Sequence, residues 1–365
     1  MSKLNIDLEK IRHNLSVIKR ACDRRDLKLN AVLKSCQLLP EVVYALIQCD
    51  IERMSFSGPV DFAGAGPGKL PHTTLLKMPA PSGIDSVVRY ANSSVNSELG
   101  TVKQLADAAA RDGLCHEIVV MVDLGDRREG ILPNEIGRFS EQIRNLLSDH
   151  IVFSGIGVNF GCLSSYCPSD HEFSLIDDLV LTAQKIIGYR LPRISIGGSI
   201  LLDRVLSDGY LGMANELRVG EAIFLGTSPG RQGAHTDLFD DAFVYSGEIL
   251  EIKDKPRHSD RWNTGTMKRA VVNFGSLNTV PEGLHCLDHG ARYVGNTSDY
   301  TVFDVTQCER SFKTGDVLRF IPDYEALAQC LISPYNLHEI RDRASFTSAQ
   351  KSNARALDYA TTVMP

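Results

Sequence analysis

Between residues 28 and 225 the chain alternates a short strand-like run with a helical one, eight times over. That alternation constrains the fold more than any other feature. The strand runs fall at 29–34, 53–57, 73–78, 94–95, 116–123, 151–158, 193–196 and 216–219. The clearest is HEIVVMVD at 116–123, whose nearly continuous apolar residues mark a strand buried on both faces. Helical runs lie between them. Pro40 opens one (Val42, Val43, Leu46, Ile47), as proline does at a first helical position. Others cover 84–90, 99–109, 135–147 and 174–187. Strands separated by helices pair in parallel, and eight such units in this length predict an α/β fold with a closed (β/α)8 TIM barrel. Upstream, Leu4, Ile6 and Leu8 alternate as in a strand. Asp7 sits where a helix cap belongs, ahead of Ile11, Leu15 and Ile18.

Beyond Gly226 the pattern changes to short alternating runs at 243–249, 270–274, 300–305 and 317–320, which predict an antiparallel β domain. The turn-rich string TSPGRQGAHT at 227–236 marks the joint. Two domains follow: a barrel over 1–228 and a C-terminal β domain over 229–365, with helix-compatible residues from about 341. A net charge of −6 offers no basic face for nucleic acid. Nine cysteines without a CxxC pair, an N-terminus lacking an apolar secretory core and no membrane-length apolar run predict a reduced, cytoplasmic protein.

The polar residues cluster at the ends of the predicted strands: Lys34, Ser57, Asn96, Asp123 with Arg128, Asn159 with Cys162, Ser199, and Arg218 with Gly220. In a barrel of this type the C-terminal lip is where catalytic groups gather. A lysine partly desolvated there can lose its proton and form a Schiff base with an aldehyde. The strings IGGS at 196–199 and LRVG at 217–220 each follow a strand with glycine, the first adding a hydroxyl, as phosphate-binding loops do. Arg218, inside an apolar strand end, needs an anionic or ring partner. A strand-end lysine facing two phosphate loops points to pyridoxal phosphate.

Five strings carry a resemblance to a known family: NSEL (96–99), MVDLGDRREGILP (121–133), GIGVNFGC (155–162), ELRVGEAIFLG (216–226), and FIPDYEAL with ISPY (320–335). The chain resembles fold-type III pyridoxal-phosphate enzymes, the alanine racemase superfamily, and within it the predicted amino-acid racemase branch that includes ornithine racemase. The resemblance implies that Lys34 is the Schiff-base lysine and the base on one face of the substrate, and that Arg218 faces the pyridine nitrogen. Ser199, Gly220 and Tyr335 are then expected to hold the phosphate, assisted by the backbone at Glu221. Arg128 is expected on the cofactor's phenolic oxygen and the substrate carboxylate, with Asn159 and Cys162 beside the substrate. A head-to-tail homodimer is implied, the β domain of one subunit closing the barrel mouth of the other. Phe274 stands where alanine racemase has its second catalytic tyrosine, and Leu38 where it has another cofactor-contacting one. Tyr300, in TSDY, is therefore the expected second acid/base, with Cys162 and His289 as further candidates. The expected reaction is exchange of the α-proton of a free amino acid. The alternatives are a lyase or aldolase on the same scaffold, echoed by HCLDH at 285–289, and a non-catalytic pyridoxal-phosphate-binding protein.

Overall fold

The structure, a computed structural model, describes residues 2–36, 39–58, 71–164, 166–231, 233–257 and 265–342. Leu38 and the stretch beyond 342 lie outside the described residues. The chain forms two compact units. Among the described residues, one runs from Arg12 to Leu238; the other joins the residues up to Ile11 with 239–342.

The chain opens with β1 (Lys3–Asp7) and α1 (Leu8–Asp23). Asp7 caps the helix as expected, its Oδ1 accepting from the backbone N–H of Glu9 at 3.1 Å and Lys10 at 3.3 Å. Among the described residues, eight parallel strands then close into a barrel in sequence order. They are β2 (Lys28–Val32), β3 (Arg53–Phe56), β4 (His72–Leu75), β5 (Ser93–Asn96), β6 (His116–Met121), β7 (Ile151–Asn159), β8 (Arg193–Gly197) and β9 (Glu216–Val219). The helices among them are α2 (Pro40–Ile47), α3 (Ile84–Tyr90), α4 (Leu99–Asp112), α5 (Ile136–Arg144), α6 (Asp170–Ile187), α7 (Leu202–Leu206) and α8 (Glu221–Leu225). α6 starts four residues before the predicted 174, because Ser169 and Glu172 form a capping box ahead of the first apolar residue.

Apolar residues of the strands are buried, Leu29, Met54, Ile118 and Leu217 among them, but the barrel also encloses a charged layer. Glu216, 1% exposed, accepts at Oε1 from Ser195 Oγ (2.6 Å), Arg193 Nη2 (3.0 Å) and Asn30 Nδ2 (3.2 Å), while Oε2 meets Arg193 Nε (3.2 Å) and Arg53. Burial pushes the Glu216 carboxyl up, but the two guanidiniums outweigh it and hold the group at about 2. Arg193 also donates to Ser93 Oγ (2.9 Å) and Thr74 Oγ1 (3.1 Å).

In the second unit the sheet order is β12 (Leu284–Cys286), β15 (Val317–Pro322), β10 (Phe243–Pro256), β11 (Thr266–Val272), β14 (Thr301–Asp304), β13 (Arg292–Asn296), all neighbours antiparallel. β1 pairs antiparallel with β10, Lys3 opposite Ser246, and parallel with β16 (Leu337–Arg341). The first strand thus belongs to this unit by its hydrogen bonds, although it precedes the barrel in sequence. β10 runs on to Pro256 because pairing with β11 continues through the charged string EIKDKP, where the apolar alternation has faded. Phe274 sits at the centre of the core, its ring 5.1 Å from Tyr245 and 5.5 Å from Phe320. α9 (Tyr324–Ile332), unforeseen from the sequence, starts on Asp323, which accepts from Ala326 N at 2.8 Å. Among the described residues no helix is long and apolar enough to cross a membrane.

His116 makes the barrel's stability depend on pH. The side chain is fully buried; Nδ1–H donates to Ala91 O (3.1 Å) and Nε2 accepts from Ser94 Oγ (2.8 Å). Burial pulls its pKa down from 6.5 to about 4. The unfolded chain therefore binds the proton first as pH falls. This contribution is complete above pH 6.5 and is lost progressively towards pH 4, roughly 2 kcal/mol being gone by pH 5. Thermal unfolding at pH 7.5 and pH 5 should show this loss in the native protein and a smaller one in His116→Gln; equal losses would exclude His116 as the source.

Candidate functional site

Three adjacent strand ends bring the central group together. Asn159 on β7 pairs in register with Gly197 on β8, and Gly197 with Arg218 on β9. Arg218, 3% exposed, donates from Nη2 to Asn159 Oδ1 (2.6 Å) and Val158 O (2.9 Å), and from Nη1 to Ser195 Oγ (2.5 Å). Gly197 permits this arrangement: a Cβ there would lie 2.9 Å from Nη2, 3.1 Å from Nε and 3.0 Å from Asn159 Oδ1. Burial pulls Arg218 down to about 10, with Glu216 opposing the shift. At neutral pH it remains a cation that only donates.

The two predicted phosphate loops touch. Ser199, buried, accepts from the N–H of Ala222 at 3.1 Å, joining the loop after β8 to the start of α8. Gly220 presses on β2, where a Cβ would meet Val32 O at 2.9 Å. Glu221, half-buried, accepts from Thr227 Oγ1 at 2.9 Å. Behind them, Asp203 on α7 pairs with His235 Nδ1 (3.2 Å), and His235 Nε2 with Ser228 Oγ (2.6 Å), fastening α7 to the segment after α8.

Lys34 is not inside a strand, as 29–34 predicted, and is not desolvated. β2 ends at Val32, and Lys34 is exposed in a turn held by Cys36 N to Leu33 O (2.8 Å) between two fully buried residues, Leu33 and Cys36. It lies at the same lip of the barrel, since Asn30 on β2 is in register with Arg218. Arg128 sits in the loop after β6. This loop folds back at Gly130, whose φ of +141° and contact with Asp123 N, 2.5 Å from a Cβ, admit glycine alone. Asp126 Oδ1 ties the same loop to the one after β7 through the N–H groups of Cys162 (2.9 Å) and Leu163 (3.0 Å). The Cys162 side chain is exposed. Asn96 is 1% exposed; its Nδ2 donates to Ser94, and its buried Oδ1 has no hydrogen-bond partner among the described residues.

The second unit carries the other predicted residues. Tyr300 is exposed in the turn before β14, its N–H on Thr297 Oγ1 at 3.1 Å, rather than packed as a strand's first residue. Tyr335 is exposed between α9 and β16, and His289 is exposed. Phe274 is wholly buried, so it is a core residue. Sequence reading missed Glu129, a carboxylate among solvated-looking charges, and the buried partners Ser195, Glu216 and Arg193. The sequence sign of Glu216 and Arg193 was charge inside otherwise apolar strands.

Residues 6–228 match the family of the alanine racemase N-terminal domain. The ornithine racemase of Acetoanaerobium sticklandii is 30% identical over 352 residues, covering 91% of this chain and 98% of that protein. The chain belongs to the alanine racemase family. The lysine racemase of Thermotoga maritima is 29% identical over 72% of this chain and 76% of its own. The alanine racemase of Streptomyces lavendulae shares the fold, with a TM-score of 0.73 at 16% identity over 93% of this chain and 97% of its own.

Pyridoxal phosphate is the cofactor of this family, bound covalently in the alanine racemase of Bartonella henselae, and the residues present fit it. A buried guanidinium stands at the strand ends, two linked glycine loops offer backbone N–H groups, and Asn96 Oδ1 is a buried acceptor lacking a donor. Among the described residues no group of three or more His, Cys, Asp and Glu side chains is arranged to hold a metal ion, so HCLDH forms no such set. Gly197→Ala should displace the Arg218 guanidinium without unfolding the barrel, weakening pyridoxal-phosphate binding by about tenfold or more. Absorbance titration of the cofactor-free protein measures this; unchanged affinity would detach Arg218 from the cofactor site.

Proposed function

We propose that this amino-acid racemase acts on a free diamino acid of the ornithine or lysine type, with Lys34 as its covalent anchor for pyridoxal phosphate. The observation carrying the racemase assignment to particular residues is Arg218: a buried cation whose bonds all run to neutral oxygens. When bound, the cofactor supplies an aldehyde for the substrate amine and a conjugated ring that acidifies the α-carbon. An arginine beside the ring nitrogen cannot take or supply a carboxylate's proton equilibrium, so it leaves the ring a weaker electron acceptor. That favours brief removal and return of one proton over side reactions. The diamino-acid side chain rests on the two relatives' activities, ornithine and lysine racemisation.

In this reading Ser199, Gly220, Tyr335 and the backbone at Glu221 bind the phosphate. Arg128 orients the substrate carboxylate, and Asn159 and Cys162 flank the substrate. Lys34 Nζ moves the α-proton on one face. Tyr300 Oη serves the other face from the β unit of a second copy in a head-to-tail cytoplasmic homodimer. Nine unpaired cysteines support the reducing compartment. The lyase reading is not favoured, since the curated relatives are an ornithine and a lysine racemase.

Two outcomes test this. Borohydride reduction of the purified protein should fix the cofactor on Lys34 alone, and L-ornithine or L-lysine in D2O should yield deuterated D-enantiomer by chiral chromatography and mass spectrometry. Label on another lysine, or turnover surviving in Lys34→Ala, would overturn the assignment. Tyr300→Phe should retain cofactor yet lose α-proton exchange selectively from one enantiomer. Mixing it with Lys34→Ala subunits should restore turnover in the sites formed from the two intact halves. Full activity of Tyr300→Phe in both directions moves the second base to Cys162 or His289.

A further inference from the structure

Arg128 stands in the loop after β6 and Arg218 in β9, yet one carboxylate links them, directly to the first and through Asn159 to the second. Glu129 Oε2 accepts from Arg128 Nε at 2.5 Å and Oε1 from Arg128 Nη2 at 2.7 Å, a two-pronged pair between neighbours in sequence. The same Oε1 accepts from Asn159 Nδ2 at 3.1 Å, and Asn159 Oδ1 accepts from Arg218 Nη2 at 2.6 Å. Neighbouring side chains in extended backbone point apart. Here Arg127, at φ +57°, and Gly130, at φ +141°, curl the loop so that residues 128 and 129 turn to the same side. An exposed pair of this kind contributes little. This one is different, because the Glu129 side chain is only 14% exposed and its second oxygen is shared.

The amide orientation of Asn159 follows from this chain. Arg218 only donates, so Asn159 must present Oδ1 to it. That leaves Nδ2 facing Glu129, which as a carboxylate only accepts. No other orientation satisfies all four groups. We infer that Glu129 is a positioning residue that couples the two arginines of the site, gripping Arg128 directly and fixing Arg218 through the Asn159 amide. The inference rests on the proposed function, since it concerns where the substrate carboxylate and the cofactor ring are held.

Two substitutions separate the two grips. Glu129→Gln keeps one carbonyl oxygen for Asn159 but cannot accept both Arg128 donors. It should raise KM for the amino acid by roughly tenfold, with kcat and the cofactor's absorbance spectrum little changed. Glu129→Leu removes both grips and should in addition weaken pyridoxal-phosphate binding, read by absorbance titration of the cofactor-free protein, and shift the pH profile of the bound cofactor's absorbance band. Glu129→Asp should recover part of each loss. If Glu129→Leu does not fold, the split between KM and kcat in Glu129→Gln decides alone. Variants indistinguishable from wild type, or equal losses in kcat and KM from both substitutions, would overturn the coupling. A wild-type protein that binds no pyridoxal phosphate would instead overturn the functional reading beneath it.

Discussion

An ionised carboxylate in the middle of a barrel is tolerated only when its charge and lone pairs are answered, since an isolated buried charge costs several kcal/mol. Glu216 is answered from four sides: Arg193 and Arg53 for charge, Ser195 and Asn30 for hydrogen bonding. The rest of the site follows. Ser195 gives its proton to Glu216 and so offers a lone pair to Arg218 Nη1, which ties Arg218 at its inner edge. At its outer edge Arg218 is tied through Asn159 to Glu129. A fully buried cation thus lies between two carboxylates, each one neutral side chain away. Among the described residues its hydrogen bonds run to neutral oxygens, and the balancing carboxylates stand one side chain further out.

The same geometry divides the work of building the site between strands and loops. The strands fix register, and register fixes which Cβ positions must be empty: Gly197 beneath the guanidinium and Gly220 against Val32. The loops then need only short reach. Asp126 joins the loops after β6 and β7, and Ser199 joins the loop after β8 to α8. Each loop is braced by its neighbour, as a site assembled from separate strand ends requires.

The barrel was legible in the sequence because burial on both faces writes a strong pattern, as in HEIVVMVD. The glycine loops, Arg218 and the lysine after the first barrel strand stood out for the same reason, being polar residues at apolar ends. Other features left no local trace. β1 pairs with strands more than 230 residues away, and nothing in KLNID says which sheet it will join. Lys34 read as a strand residue because Leu33, which is apolar, actually belongs to the turn. Glu129 read as solvated because DRRE looks the same whether the loop faces water or folds over its neighbour. Arg193 read as the edge of a strand, whereas it is among the largest fully buried side chains.

Arg193 also bears on how this protein can be altered. Its guanidinium reaches Thr74 on β4, Ser93 on β5 and Glu216 on β9, so three strands distant in sequence share one side chain. Residues in one such network do not contribute independently. A chimaera that draws β4 and β5 from one relative and β8 and β9 from another inherits donors and acceptors that were never matched. Viable crossovers in this barrel should therefore cluster where all four strands keep a common parent, and substitutions acceptable in one relative should prove harmful in another.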